Sequence, residues 1–451
     1  MASVMWFRRD LRLADNPSLL AAVAAGSEVV PLFVLDPALW RAAGGARRAY
    51  LTASLADFGH RVGALQVRRG APVAEVVTVA RAAHARTVHV AEDFGPYGRR
   101  RDEQVEQALA RHGITLVRTG SPYAVSPGRI VNKTGDPYQV FTPYSRAWLQ
   151  HGWPQPCSAP RDVSWVRPLA SHDLPEAPRP DGLSLPPAGE AAAHRRWRHF
   201  LDEHLRDYRT ARDRADLDRT SRMSVHLKWG EIHPRTMLAD LATRRSESAA
   251  TFRTELGWRE FYADVLWRRP DSARDYYKPE FARMEYDEPG DEPADGFEAW
   301  RHGLTGFPVV DAGMRQLRTE GWMHNRVRMI VASFLVKDLH LEWQHGARHF
   351  MQWLVDGDLA SNQHGWQWTA GCGTDAAPYF RIFNPTTQGQ KFDPNGDYIR
   401  RYVPELRDLD ARAIHQPWTL DGGPPRGYPA PIVDHAEERR EALRRYQIVR
   451  R

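Results

Sequence analysis

Between Val4 and Val117 short β-branched runs alternate with alanine-rich helical stretches, and beyond Ala191 the strands stop. Val4–Phe7, Val29–Leu35, Leu65–Arg68, Val88–Val90 and Ile114–Val117 read as strands. Asn16–Ala25, Arg47–Gly59, Val73–His84 and Arg101–His112 read as helices. That alternation predicts a parallel sheet covered on both faces. Ligands of such sheets sit outside the carboxyl ends of the strands. No Gly-x-Gly-x-x-Gly follows the first strand, so an ordinary dinucleotide site has no support.

Cys157 to Ala188 is proline-rich and aperiodic, the character of a linker. Beyond it Ala191–Tyr208, Pro234–Ala242, Ala249–Trp267, Val309–Glu320, Trp322–Leu341 and His345–Val355 carry helical patterns, and a charged helix closes the chain near His435–Tyr446. An acidic Pro/Gly-rich loop, Asp287–Gly296, interrupts the series. The expected organisation is an α/β, Rossmann-like N-terminal domain over 1–130, a linker over 131–190, and an all-α C-terminal domain over 191–451.

Composition narrows the function. No run of about 18 apolar residues exists, so no membrane span is expected. The N-terminus lacks the layout of a signal peptide. With only Cys157 and Cys372, neither a disulfide framework nor a four-cysteine iron–sulfur site is available, and a reducing cytoplasm is the expected compartment. A net charge of +6 and a pI near 9.3 suit an anionic partner, although many arginine-rich chains are merely soluble. Packing explains most tryptophans in most proteins, but 16 of them also suit base stacking or electron transfer.

Four segments carry candidate chemistry. Thr220, Ser221, Arg222, Met223 and Ser224 precede a helical stretch, where hydroxyls and N–H groups suit a phosphate; taken alone, a plain N-cap is the commoner explanation. Asp356-Gly357-Asp358, followed by Asn362, places two carboxylates around a glycine; an Asx turn is the bland alternative. No third or fourth ligand stands at a usual spacing, so no metal site is expected. Glu255 and Trp258 share a helical face, able to hold and stack a base or simply to pack. Asn325, Arg328 and Met329 share one side of a helix beside tryptophans.

Together these segments resemble the DNA photolyase/cryptochrome family. The likeness starts at Trp6-Phe7-Arg8-Arg9-Asp10-Leu11-Arg12 and is densest from Thr305 to Asp397, through Trp366-Gln367-Trp368 and the run Gly373 to Pro385. It implies light-driven repair of pyrimidine dimers in DNA by a lyase. Reduced FAD would pass an electron to a flipped-out dimer, and flipping by photolyases is a known instance of the general strategy.

By that resemblance Tyr208, Thr220 to Ser224, Phe252, Glu255, Trp258 and Arg259 would lie along FAD, with Asn325, Arg328, Asp356, Asp358 and Asn362. Glu255, Asn362 and Met329 would carry catalysis: Glu255 on the damaged bases, Met329 packed against them, Asn362 facing the reactive flavin nitrogen. Trp258 and Trp368 would stack on the dimer, and Arg212, Arg326 and Arg381 would grip phosphates. Trp366 and Trp343 match the first two members of an electron-transfer series. Its surface tryptophan should fall in Tyr286–Gly296, where none exists, so Tyr286 or another aromatic would have to substitute.

Asn325 and Met329, in place of paired histidines, match the cyclobutane-dimer members, and Asn362 departs from the Asp or Cys of signalling cryptochromes. The resemblance thus implies a class I cyclobutane pyrimidine dimer photolyase, with a blue-light cryptochrome as the alternative; the lack of a long extension after Arg451 points the same way. An antenna chromophore would sit in the first domain. Pro96-Tyr97-Gly98-Arg99 is similar to members using 8-hydroxy-5-deazaflavin, with Phe33, Arg47, Tyr97, Gly98 and Asp102 as contacts; methenyltetrahydrofolate, a second flavin or an empty site are the alternatives. Damaged DNA is the expected partner, with no obligate protein partner, and the chain is expected to act as a monomer.

Overall fold

The computed structural model describes residues 2–177, 179–290, 296–375 and 380–449. Packing divides the chain into two compact units. The first comprises Met1–Pro180, Pro186–Arg206 and Ser221–Pro270; the second comprises Asp181–Leu185, Asp207–Thr220 and Asp271–Arg451.

In the first unit five strands, β1 (Ala2–Phe7), β2 (Glu28–Leu35), β3 (Gln66–Arg69), β4 (Thr87–Val90) and β5 (Thr115–Arg118), form a parallel sheet in the order β3-β2-β1-β4-β5. Val4 pairs with Val30 on one side and Val88 on the other. The two-residue period sends Val4 and Trp6 to one face, against Val76, Val79, Val105 and Leu109. It sends Met5 and Phe7 to the other, against Leu19, Leu55 and Phe58. Burial on both faces explains the near-continuous apolar strands that made the sheet legible. The order reverses at β1, which places a topological switch point between β1 and β4. Proline opens the helices Pro17–Ala25, Pro72–Ala82 and Pro96–Ala110, where its missing N–H costs nothing.

The expected linker contains a helix, Phe141–His151, whose buried face is Phe141, Tyr144 and Trp148. The 22-residue helix Glu247–Arg268 anchors the nearby chain through its side chains. Glu260 accepts from Val125 N (3.0 Å) and Trp148 Nε1 (2.6 Å), and Asp264 accepts from Gly128 N at 2.6 Å. The expected helix Ala191–Tyr208 runs only over Glu190–His199, then widens into a π-helical turn, Phe200–His204. That turn leaves Phe200, Leu201 and Leu205 all buried.

The second unit is helical. Pro308–Glu320, Asn325–Lys337, Trp343–Trp353 and Leu359–Ala370 pack around Val310, Met314, Leu317, Ile330, Phe334, Leu335 and Phe350. Gly346 is where Trp343–Trp353 meets Leu359–Ala370: a Cβ there would lie 2.1 Å from the Trp366 ring. The expected helix Trp322–Leu341 starts later, because His324 caps it by accepting from Arg326 N (3.2 Å), and it ends at Lys337. Leu359–Ala370, Pro385–Phe392 and Gly296–His302 are helices that periodicity did not indicate. Among the described residues no helix is long and apolar enough to cross a membrane, and no His/Cys/Asp/Glu cluster is arranged to hold a metal ion.

Candidate functional site

The second unit concentrates hydrogen-bond acceptors at the start of the helix Leu359–Ala370. Asp356 is buried in the preceding turn, and its Oδ2 accepts from Arg328 Nη2 at 2.9 Å. Arg328 is itself oriented by its Nε bond to Met323 O (2.8 Å). The other carboxylate oxygen, Oδ1, is buried with no protein partner. Such a group costs about 1–3 kcal/mol unless a donor meets it. Asp358 caps the helix by accepting from Ser361 N (3.2 Å).

One turn on, Asn362 is almost fully buried, and its Nδ2 donates to Ala347 O (3.1 Å) and Gln363 Oε1 (2.8 Å). Gln363 is held in turn by its Nε2 bond to Ala273 O at 2.7 Å. Both amide hydrogens of Asn362 are therefore committed, which leaves its Oδ1 as an acceptor. The i,i+4 spacing puts Asp358 and Asn362 on one helical face.

Trp366 continues that face. It is 3% exposed and packs on Phe350 (ring centroids 5.0 Å apart) and Trp300 (6.1 Å). Trp343 is fully buried against Tyr276, with centroids 6.4 Å apart. Neither indole N–H has a protein acceptor.

The remaining expected residues of this unit lie nearer its surface. Asn325, the first residue of its helix, is exposed, and Met329 is half-buried one turn later. Arg326 pairs with Asp213 (2.9 Å) and lies over the Phe392 ring. Arg381 is exposed over the Phe383 ring, and Arg212 lies over the ring of Tyr208. Trp368 is half-buried, its Nε1 donating to Asp375 O at 3.0 Å. Thr220 is half-buried at the end of its segment. Ala376 to Tyr379 of the quoted run and 291–295 of the loop expected to hold a surface tryptophan lie outside the described residues.

In the first unit Glu255 and Trp258 are half-buried on the helix Glu247–Arg268. The indole of Trp258 stacks on Phe141, and Arg259 donates to Pro122 O (3.1 Å) while lying over the Tyr123 ring. One buried Arg259 nitrogen, Nη2, has no partner. Phe252 is packed in an aromatic cluster with Trp197 (5.2 Å) and Phe200 (4.9 Å). Ser221 Oγ accepts from Met223 N at 3.3 Å, Arg222 adopts φ 53°, and the helix that follows, Ser224–Trp229, spans six residues.

Four of the expected antenna residues, Phe33, Tyr97, Gly98 and Asp102, lie by the carboxyl ends of β1, β2 and β4. Phe33 is buried near the end of β2, and Tyr97 donates to Asp36, which follows β2. Burial, with that bond, pushes the Tyr97 phenol up to about 12. Asp102 is buried and doubly paired, with Arg8 (2.6 Å) and Arg101 (2.8 Å). Gly98 is required there, because a Cβ would lie 2.2 Å from the Asp93 carboxylate. Arg47 is buried and donates to Ala42 O at 3.1 Å.

Sequence reasoning missed Gln363, Phe141 and Trp300. The stripe Phe141, Tyr144, Trp148 carried a signal for the second, whereas Gln363 is oriented by Ala273 and Trp300 packs on Trp366, both distant in sequence.

The sequence profile described as the FAD binding domain of DNA photolyase matches residues 252–448, and that described as DNA photolyase matches residues 3–161. A deoxyribodipyrimidine photo-lyase of Streptomyces griseus is 43% identical over 449 residues, 97% of each chain. The crystal structure of a class III photolyase from Agrobacterium tumefaciens superposes with a TM-score of 0.92 at 36% identity, covering 100% of this chain and 98% of the other. That of a cryptochrome from Synechocystis sp. PCC6803 gives 0.89 at 27% identity, covering 98% of each. The fold is thus shared by proteins bearing both names, and the choice between their functions falls to individual side chains.

Proposed function

The chain belongs to the DNA photolyase family, and from that membership we propose a class I enzyme for cyclobutane pyrimidine dimers. It is a flavoprotein lyase that uses light to split pyrimidine dimers in DNA. FAD supplies the photoexcited one-electron donor; the protein supplies binding, orientation and electrostatics.

The acceptor edge of the second unit carries the reading. The unmatched Oδ1 of Asp356, the Asp358 carboxylate and the Oδ1 of Asn362 are acceptors, and a reduced flavin offers ring N–H and sugar hydroxyl donors to them. Arg328 holds Asp356 in place. Asn325, Tyr208, Thr220, Ser221 to Ser224, Phe252 and Arg259 are likewise assigned to flavin. Phe252 serves there as a packed support, since its ring is taken up by Trp197 and Phe200.

Glu255 hydrogen-bonds the flipped dimer, Trp258 and Trp368 stack on it, and Met329 packs against it. Arg212, Arg326 and Arg381 hold phosphates and set salt-dependent affinity rather than lesion choice. Trp366 and Trp343 carry electrons to the flavin. In the first unit Phe33, Arg47, Tyr97, Gly98 and Asp102 hold 8-hydroxy-5-deazaflavin. Domain limits of 1–130, 131–190 and 191–451, and action as a monomer in the cytoplasm, complete the reading.

Asn325, Met329 and Asn362 support the cyclobutane class, and the likeness to the Agrobacterium enzyme makes class III the alternative subdivision. Illumination of the reduced protein with two DNA substrates tests the lesion. Loss of cyclobutane dimers with (6-4) lesions intact is expected; repair of the (6-4) lesion overturns the assignment. The chromophores released from purified protein should include the deazaflavin beside FAD, and a folate or a second flavin in its place refutes that choice.

A further inference from the structure

The loop expected to hold a surface tryptophan has none, yet the fold leads an aromatic path outward from Trp343. Tyr276 sits edge-on to the indole of Trp343 (centroids 6.4 Å apart, planes at 81°), and Tyr286 stacks on Tyr276 (6.1 Å, 19°). Both separations lie within the range of direct aromatic contact. Exposure rises along the series: Trp343 is fully buried, Tyr276 is 8% exposed and Tyr286 is half-buried.

Two features give the path a direction. The Trp343 N–H is buried with no acceptor, so an oxidised indole there cannot shed its proton to the protein and stays a cation, a strong oxidant. The Tyr276 hydroxyl, by contrast, donates to Glu342 Oε1 at 2.7 Å, a short charge-assisted bond. Burial, reinforced by the neighbouring Tyr286 hydroxyl and the Glu342 carboxylate, keeps the Tyr276 phenol protonated, so losing an electron obliges it to lose a proton too. Glu342 is half-buried and able to pass that proton on to water.

We propose that Tyr276 is the terminal electron donor of this path and that Glu342 is its proton acceptor. This rests on the reading of Trp366 and Trp343 as electron carriers. Bound flavin would supply the oxidant under light; Trp366 would give up one electron and be refilled in turn from Trp343. One electron then passes from Tyr276 to the Trp343 cation as the phenolic proton moves to Glu342 Oε1. The products are neutral Trp343, a neutral tyrosyl radical and a protonated Glu342; an external thiol returns a hydrogen atom to the tyrosyl.

The test is electron paramagnetic resonance and transient absorption on the flavin-loaded protein, with flavin content as the folding control. The unaltered protein should show a tyrosyl radical after illumination; Tyr276→Phe should abolish it and Tyr286→Phe should keep it. Glu342→Gln should slow conversion of the tryptophan radical to tyrosyl by about a hundredfold, the scale of a lost general base. A tyrosyl signal that survives Tyr276→Phe, or a tryptophan radical that never yields tyrosyl, overturns the proposal while leaving the tryptophan reading intact. A tyrosyl signal that survives Trp343→Phe overturns the tryptophan reading itself, and the proposal with it.

Discussion

In the first unit the indole of Trp258 lies flat against the phenyl ring of Phe141, with ring centroids 3.8 Å apart and planes 12° from parallel. Phe141 is 5% exposed and braces one face of an indole assigned to stack on the lesion. Phe141→Ala should cost about 3 kcal/mol or more of stability. It should also weaken binding of dimer-containing DNA. Thermal unfolding and a binding titration measure the two effects; full lesion affinity in a folded Phe141→Ala protein would remove Phe141 from the site.

Asp356 combines a committed oxygen with an unmatched one. Asp356→Ala strips Arg328 of its carboxylate and the pocket of its acceptor. Flavin retention should fall by about a hundredfold, equivalent to about 3 kcal/mol. Absorbance of bound flavin during dialysis reports this. Undiminished retention would mean that the unmatched oxygen does not meet the cofactor.

The three arginines assigned to phosphates differ in their pairing. Arg381 is exposed, while Arg326 is already partly neutralised by Asp213 at 2.9 Å. Arg381→Ala should lower the slope of log affinity against log salt by about 0.9, the value for one phosphate contact. Arg326→Ala should lower it by less, and Asp213→Asn should strengthen DNA binding. Equal slopes in all three proteins would place DNA elsewhere.

His364 is buried with Nδ1 on Ala360 O (2.8 Å) and Nε2 on the Ser272 hydroxyl (3.0 Å). Burial lowers it from an ordinary 6.5 to about 4. Between those values the unfolded chain binds more protons than the folded one. Stability is therefore fully present above 6.5 and is lost as pH falls toward 4, by about 3 kcal/mol for this group alone. Denaturant unfolding across that range should show the loss, and His364→Asn should flatten it. An unchanged slope in that variant would assign the acid sensitivity to other groups.

The sheet was legible because its strands are buried on both faces, so that Val29–Leu35 and Val88–Val90 announced themselves as apolar runs within a residue of their limits. Helix edges were less so. Trp322–Leu341 starts only at Asn325 because a histidine, His324, does the capping. The helix Phe141–His151 went unread amid a proline-rich stretch, although Phe141, Tyr144 and Trp148 mark its face. At the site, residue types pointed to acceptors, but the commitment of the Asn362 amide hydrogens depends on Ala347, and on Ala273 holding Gln363, as they meet in three dimensions. The partner of Tyr276, Glu342, stands 66 residues away and no periodicity connects them.

This protein splits pyrimidine dimers with light, and Glu255 is the residue assigned to the lesion. The direct measurement is the dimer content of ultraviolet-damaged DNA after incubation with flavin-reduced protein, in darkness and under blue or near-ultraviolet light. Dimers should persist in darkness and disappear under light, and Glu255→Ala should lower the yield per photon while its flavin stays bound. Dimers left intact by the illuminated, flavin-reduced protein would contradict the account and favour a signalling role for the same fold.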